Sequence, residues 1–246
     1  MPRALLALGA NQGDRAATLA AALESLASQS EIREISRSSW RETAPIGGPS
    51  AQTAFLNGAS LIETSLSPHD LWKRLADTET DFGRRRTEHW GARTLDLDLL
   101  LYEEQVVDDD VLTVPHPLFA LRRFVLEPAA EIAGSMLHPT LGCTIEEIWR
   151  HVQVAPQEAK IIGGSSEDRA MLAARIALHG EAWLLTNHDA IHPRLTIELH
   201  DLGDTSPDER RRVLTRWDDG LVLQADTRNL NAAAREAVLA MQGLAD

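Results

Sequence analysis

The run Thr94-Leu95-Asp96-Leu97-Asp98-Leu99-Leu100 alternates polar and apolar side chains, the period of two that marks a half-buried strand. Leu95, Leu97 and Leu99 then share one face, and Asp96 and Asp98 the other, with their Cα atoms roughly 6–7 Å apart. Two carboxylates side by side on a rigid strand repel each other unless a cation lies between them. Mg²⁺ suits such a pair, because it takes one or two carboxylates and leaves its other positions to water and phosphate. Arg84, Arg85, Arg86 and Arg93 precede the pair, and guanidinium forks beside metal carboxylates form a phosphoryl-transfer constellation. An Asp-x-Asp alone is more often a solvated edge. The arginines, Trp90-Gly91 at the strand entrance and Pro115-His116-Pro117 downstream favour the metal site.

The rest of the chain must supply a partner for that strand. Ala4–Leu8 reads as a first strand, and Asp14 caps a helix over Arg15–Ser28. Ile32–Trp40 is extended, and Glu42 to Thr53 is a loop rich in proline and glycine, a composition typical of functional loops. Phe55–Thr64 alternates as another strand, and Ser67-Pro68-His69-Asp70 starts a helix to Asp81. A second loop, Gly83–His89, leads into the strand of Asp96 and Asp98. A short strand ends at Thr113-Val114, a helical patch begins at Arg122, and Thr144-Ile145-Glu146-Glu147 is a capping box for a helix through His151. The order β-α-β-β-α-β predicts an α+β fold: a ferredoxin-like antiparallel sheet with helices on one face and the Asp96/Asp98 strand at its centre.

From Ala155 the texture changes. Pro156–Lys160 reads as a linker, so a first domain over 1–155 is expected, followed by a small C-terminal α/β appendage over 161–246. Its helices are expected at Glu167–Leu178, after the Ser206-Pro207 cap and at Asn231–Met241, its strands at Trp183–Thr186, Leu195–Leu202 and Leu221–Gln224. His179, His188, His192 and His200, with Asp189 and Asp201, read as a surface scatter, since Pro193 breaks any helical metal pair. The appendage is expected to stabilise, to self-associate or to dock a partner.

Composition bounds the partners. A net charge of −13 argues against general nucleic-acid binding, and Lys73 and Lys160 are the only lysines among the basic residues. The single cysteine, Cys143, excludes an internal disulfide and a thiolate cluster and fits a reducing cytoplasm. No apolar run reaches the ~18–20 residues of a membrane span, and the short apolar N-terminus reads as a buried strand rather than a signal peptide.

Trp90-Gly91-x-Arg93-Thr94-x-Asp96-x-Asp98-Leu99 closely resembles the signature of the 6-hydroxymethyl-7,8-dihydropterin pyrophosphokinases. Leu8–Asp14, Glu42–Gly47 with Phe55-Leu56-Asn57, Leu112–Pro117 and Arg122–Leu126 are similar to further motifs of that family, in order, over roughly Met1–Val152. The chain departs with Ala10 for serine, Phe55 for tyrosine, and Ala44 and Ala92 for proline. The resemblance implies transfer of the ATP diphosphoryl group to the pterin hydroxymethyl group, with release of AMP, in folate biosynthesis. It implies Asp96 and Asp98 as ligands of two Mg²⁺ ions, with Arg84 and Arg93 as catalytic residues beside them. ATP would meet Arg84, Arg86, Arg93, His116 and Arg122, with Leu99, Leu112 and Thr113 around the adenine. The pterin would lie between Phe55 and Phe124, bonded by Thr43, Ala44, Ile46 and Asn57, and Trp90 would close over it. The acceptor of the hydroxyl proton stays open among Asp96, Asp98 and metal-held water. Taken singly, Phe55, Phe124 and Trp90 read as packing residues and His116 as a turn histidine. A competing reading is a catalytically silent pterin- or nucleotide-binding module acting through its C-terminal part. Either way the expected partners are small molecules, with no nucleic acid and no membrane.

Overall fold

The structure, a computed structural model, describes residues 1–45, 52–84, 92–155, 157–177, 184–186, 194–200, 214–217 and 221–244. In chain order its first half holds β1 (Arg3–Ala10), α1 (Arg15–Ala27), β2 (Ile32–Arg37), β3 (Arg41–Thr43), β4 (Phe55–Thr64), α2 (Pro68–Asp81), β5 (Asp96–Tyr102), β6 (Val107–Asp108), β7 (Thr113–Val114), α3 (Arg123–Ala133), β8 (Leu137–His138), β9 (Cys143–Thr144) and α4 (Ile145–Val154). Three expected caps form. The side chains of Asp14, Ser67 and Thr144 accept N–H bonds at the starts of α1, α2 and α4, the last as a full capping box.

The first sheet runs β2-β4-β1-β5, with β3 added to β4, and every pairing is antiparallel. Nearly every residue of β1 is apolar and buried, so the sheet needs cover on both faces. Ala4, Leu6 and Leu8 pack with Leu19 and Leu23 of α1 and Leu71 and Leu75 of α2. Leu5 and Ala7, with Ala59 and Leu61 of β4, pack instead against Val125, Leu126 and Ala129 of α3. The expectation of helices on one face alone is therefore corrected. Each such leucine contributes about 1.5–3 kcal/mol of burial.

The strand of Asp96 and Asp98 is also not central: β5 lies at the edge of the sheet and, among the described residues, pairs only with β1. Its leucines reflect burial of both faces rather than a middle position. A register shift opposite Leu5/Leu6 places Leu100 and Leu101 in the same cluster, on the α3 side, while Leu97, Leu99 and Tyr102 serve the α2 side. The segment after β7 covers the outer edge, and the His116 N–H donates to the Leu100 carbonyl at 2.9 Å.

The second half adds β10 (Glu158–Gly163), α5 (Ser166–Ala177), β11 (Leu184–Thr186), β12 (Leu195–His200), β13 (Leu214–Trp217), β14 (Leu221–Asp226) and α6 (Leu230–Leu244). Its sheet runs β11-β10-β12-β14-β13, parallel except for β13. The linker expected over 156–160 is, from Glu158 onward, β10 itself, inside that sheet. Its polar residues alternate with Ala159 and Ile161, both buried. One apolar cluster runs from Leu5 and Ala59 through α3 and α4 to Ile161, Leu195, Leu223 and Met241, so the two sheets share a core. The expected helix after Ser206, together with His179, His188, His192, Asp189 and Asp201, lies outside the described residues; His200 ends β12. No helix among the described residues is long and apolar enough to cross a membrane.

Candidate active site

A cavity of about 220 Å³ opens where β1, β3, β4, β5 and the start of α3 converge. Thr43, Ala44, Phe55, Asn57, Arg93, Asp96, Asp98, Arg122 and Phe124 all line it. These nine positions, chosen from separate stretches of sequence, meet because β3 and β5 reach one end of the sheet through β4 and β1.

The acidic side of the cavity is tightly bonded. Asp96 pairs through Oδ1 with Arg84 Nη1 at 2.8 Å and through Oδ2 with Arg93 Nη1. Burial, reinforced by the negative charge of Asp98, holds the Asp96 carboxyl above its ordinary range, against the pull of Arg93 and Arg84. Arg84 is shared with Glu79 of α2, whose carboxylate also accepts the Leu97 N–H at 2.7 Å. Burial pushes Glu79 up to about 7 against that N–H bond and Arg84. No motif in the sequence assigns Glu79 a role. The signal for it is an acidic residue on the apolar face of α2, where Leu71 and Leu75 also sit.

A second residue without an assigned role is Asn11, which is 2% exposed. Its Oδ1 accepts the Arg93 N–H at 2.7 Å, and its own N–H donates to the Arg93 carbonyl at 3.0 Å. Its Nδ2 donates to Gln52 Oε1 at 3.2 Å and to the Thr53 carbonyl at 3.3 Å. One side chain thus ties the residues entering β4 to those entering β5. Arg15 joins the same edge, donating to the Ala54 carbonyl at 2.6 Å and to Glu42 at 2.8 Å.

The opposite side carries Phe55, Phe124, Leu118 and Leu121 together with Thr43 and Asn57. Asn57 Nδ2 donates to Thr43 Oγ1 at 2.7 Å, fixing two groups suited to the edge of a heterocycle. Gly9 opposes Asn57 across the β1–β4 pairing, and a Cβ there would stand 2.9 Å from Asn57 Oδ1. The Arg122 guanidinium lies 5.8 Å from the Phe124 ring centroid. Burial lowers the Arg122 pKa from its usual value, while Asp98 and Asp96 oppose that shift. Arg41 anchors this wall, pairing with Glu127 at 3.0 Å and Glu131 at 2.7 Å on α3.

The remaining selected residues fall elsewhere. Leu99 and Leu112 are buried in the core on the α2 side, and Thr113 sits in β7 paired with Asp108. His116 does not line the cavity; burial lowers its pKa, against the raising effect of Asp98. Ile46, Arg86 and Trp90 lie outside the described residues. Leu239, Ala240 and Gly243 of α6 also line the cavity, from the second half of the chain, and no motif in the sequence marks them.

Two neighbouring carboxylates, one of them held by two guanidinium groups, in a cavity that also carries aromatic rings, an amide and a hydroxyl, define a phosphoryl-group transferase. Comparison with known proteins narrows this class. Residues 5–134 match the family of 7,8-dihydro-6-hydroxymethylpterin-pyrophosphokinase (HPPK), and the chain belongs to that family. It is 44% identical over 137 residues to the 2-amino-4-hydroxy-6-hydroxymethyldihydropteridine pyrophosphokinase of Methylorubrum extorquens, covering 56% of this chain and 86% of that protein. Over 184 residues it is 38% identical to the Synechocystis enzyme of the same name, covering 72% of this chain and 92% of that protein. It is also similar to the crystal structure of Plasmodium falciparum HPPK-DHPS, with a TM-score of 0.47 and 11% identity over 80% of this chain and 56% of that chain.

Proposed function

We propose that this cavity transfers the diphosphoryl group of ATP to the hydroxymethyl group of 6-hydroxymethyl-7,8-dihydropterin, releasing AMP, as a step of folate biosynthesis. The observation that carries the reading is the meeting of Asp96, Asp98, Arg93 and Arg122 with Phe55, Asn57, Thr43 and Phe124 in one cavity. The acceptor's ring takes the Phe55/Phe124 slot, with Asn57, Thr43 and the backbone at Ala44 along its edge. The guanidinium groups of Arg84, Arg93 and Arg122 take the phosphates. The hydroxymethyl oxygen bonds to the β-phosphorus. The bond from that phosphorus to the oxygen bridging to the α-phosphate breaks, and AMP leaves with that oxygen. The hydroxyl proton passes to the Asp96/Asp98 pair or to water.

The donor set fits magnesium. Asp96 and Asp98 are two hard oxygen ligands, and no cluster of three or more His, Cys, Asp or Glu suited to a metal occurs among the described residues. That suits an ion that completes its shell with water and phosphate rather than an all-protein cage. Burial first, and then the charge of Asp98, raise the Asp96 pKa, and a cation bound between the two carboxylates would offset both. When bound, Mg²⁺ would neutralise phosphate charge as the group transfers. We place two ions here by the resemblance of the signature, and by the same resemblance Arg86, Trp90, His116, Thr113 and Ile46 complete the site beyond the cavity lining, while Leu99 and Leu112 stay in the core on the α2 side.

The strand order β2-β4-β1-β5 supports classing residues 1–155 as a ferredoxin-like unit, with the C-terminal residues as a second unit joined to it. The net charge and lone cysteine support a cytoplasmic enzyme of small-molecule substrates. The test is AMP release from ATP and the pterin with Mg²⁺, for wild type, Asp96→Ala and Asp98→Ala. We expect turnover in wild type and none in either variant. Pterin binding without turnover in wild type would favour the silent module, and near-full turnover in either variant would sink the metal assignment.

A further inference from the structure

Three residues on the cavity wall come from far along the chain. Leu239, Ala240 and Gly243 lie on the last turns of α6, outside the residues 5–134 matched to the family. Their packing is close. A Cβ on Gly243 would stand 2.2 Å from the Leu121 carbonyl oxygen and 3.5 Å from the Arg122 Cα, so only glycine lets α6 approach the turn that carries Arg122 and Phe124. The same C-terminal end of the helix is held from a second side as well. Arg194, 3% exposed, donates from Nη1 to the Leu244 carbonyl at 3.0 Å and from Nη2 to the Ala155 carbonyl at 3.0 Å. It thereby satisfies a terminal carbonyl of α6 and locks the helix to the end of α4. Ala240 is 4% exposed and Met241 fully buried, so this end of α6 belongs to the shared core rather than to a loose surface segment.

We propose that the last turns of α6 form one wall of the acceptor pocket, so that the C-terminal part of the chain sets how the pterin is held. The proposal rests on reading the cavity as the pterin site. Leu239 and Ala240 carry no charge and offer nothing to a triphosphate. They are joined on the wall by Leu121, Phe124 and Val125, the apolar group beside the ring slot. An apolar wall fixes a flat ring by shape and by excluding water.

The test measures pterin binding to the full chain without ATP, and the KM for pterin and for ATP separately, in four variants. Ala240→Leu inserts three carbons into the cavity, and we expect at least ten-fold weaker pterin binding with a matching rise in pterin KM. The ATP KM should stay within two-fold, because the phosphate-binding arginines are untouched. Leu239→Ala removes wall contact, and we expect three- to ten-fold weaker pterin binding with kcat nearly unchanged. Arg235→Ala, exposed on the same helix and off the cavity, should behave as wild type. Asn57→Ala tests the pocket reading itself and should weaken pterin binding at least ten-fold. If Asn57→Ala does so while Ala240→Leu and Leu239→Ala bind pterin within two-fold of wild type, the α6 wall is refuted and the pocket stands. If Asn57→Ala binds normally, the pocket reading falls first. Should Ala240→Leu fail to fold, Leu239→Ala decides. Equal losses for ATP and pterin in that variant would mean a merely structural role and overturn the proposal.

Discussion

Replacing Asn11 by alanine should separate the latch of the site from its chemistry. The variant keeps the backbone bond from Asn11 N–H to the Arg93 carbonyl but loses three side-chain bonds: from the Arg93 N–H at 2.7 Å, and to Gln52 and Thr53 at 3.2 and 3.3 Å. The Arg93 amide is left without its acceptor in a half-buried position, which costs about 1 kcal/mol, and the two longer bonds together add about 1–2 kcal/mol. A total of about 2–3 kcal/mol is a large part of a typical 5–15 kcal/mol stability. For a chain of this size it lowers Tm by about 4–12 °C. Arg93 pairs directly with Asp96, so loosening its backbone should also cost about 10²-fold in kcat, the usual effect of a small misplacement at a reacting centre. Denaturant unfolding and AMP-release kinetics measure the two losses. Asn11→Asp supplies the contrast. It keeps the acceptor for the Arg93 N–H but sets a carboxylate against the Thr53 carbonyl, so it should retain more activity than the alanine variant while still losing stability. A change below about 0.5 kcal/mol in Asn11→Ala, with kcat within two-fold of wild type, would refute the latch.

Three further outcomes follow from the same geometry. Gly9→Ala places a methyl 2.9 Å from Asn57 Oδ1, so pterin binding should weaken at least ten-fold with little change in ATP KM; unaltered pterin affinity would mean that Asn57 is not an edge contact. Chelating divalent metal with EDTA should abolish AMP release yet move Tm by less than about 2 °C, because Asp96 keeps Arg84 and Arg93 as partners without metal; unfolding on chelation would refute this. Burial holds His138, 3% exposed and stacked on Phe119, down at about 4. That lies below its unfolded value of about 6.5. Between those values the unfolded chain takes a proton that the fold refuses, so about 3 kcal/mol of stability is present above pH 6.5 and lost as pH falls through 4. His138→Asn, which keeps an acceptor near the Leu141 N–H, should flatten that slope in denaturant titrations at pH 7, 5.5 and 4.5; parallel wild-type and variant curves would contradict the assignment.

What could be read in the sequence was the chemistry of polar residues in apolar company. Asp96 and Asp98 stand out because leucines flank them, and Asn57, Thr43, Arg93 and Arg122 stand out within spaced motifs; all six meet in the cavity. The caps at Asp14, Ser67 and Thr144 were legible for the same local reason. The position of β5 was not, since a run of leucines reports burial on both faces equally well at an edge covered by another segment. Leu99 and Leu112 illustrate the limit from the other side. Apolar residues beside a site give no sign of whether they face the ligand or the core, and these two face the core.

Gly243 shows why the enclosure of the site was harder to read than its chemistry. A glycine in the last turn of a helix suggests a helix end, and nothing local reveals that it lies against the Leu121 carbonyl. That contact depends on β10, whose polar residues resemble a linker but whose Ala159 and Ile161 tie the second sheet into the shared core. Once β10 is in place, β12 follows it and carries Arg194, the last residue before that strand, to the end of α6. The wall of the cavity thus depends on a sheet more than a hundred residues from the first motif. Chemistry concentrates in short motifs because a few atoms must meet; enclosure spreads over the chain because any apolar surface of the right shape will serve.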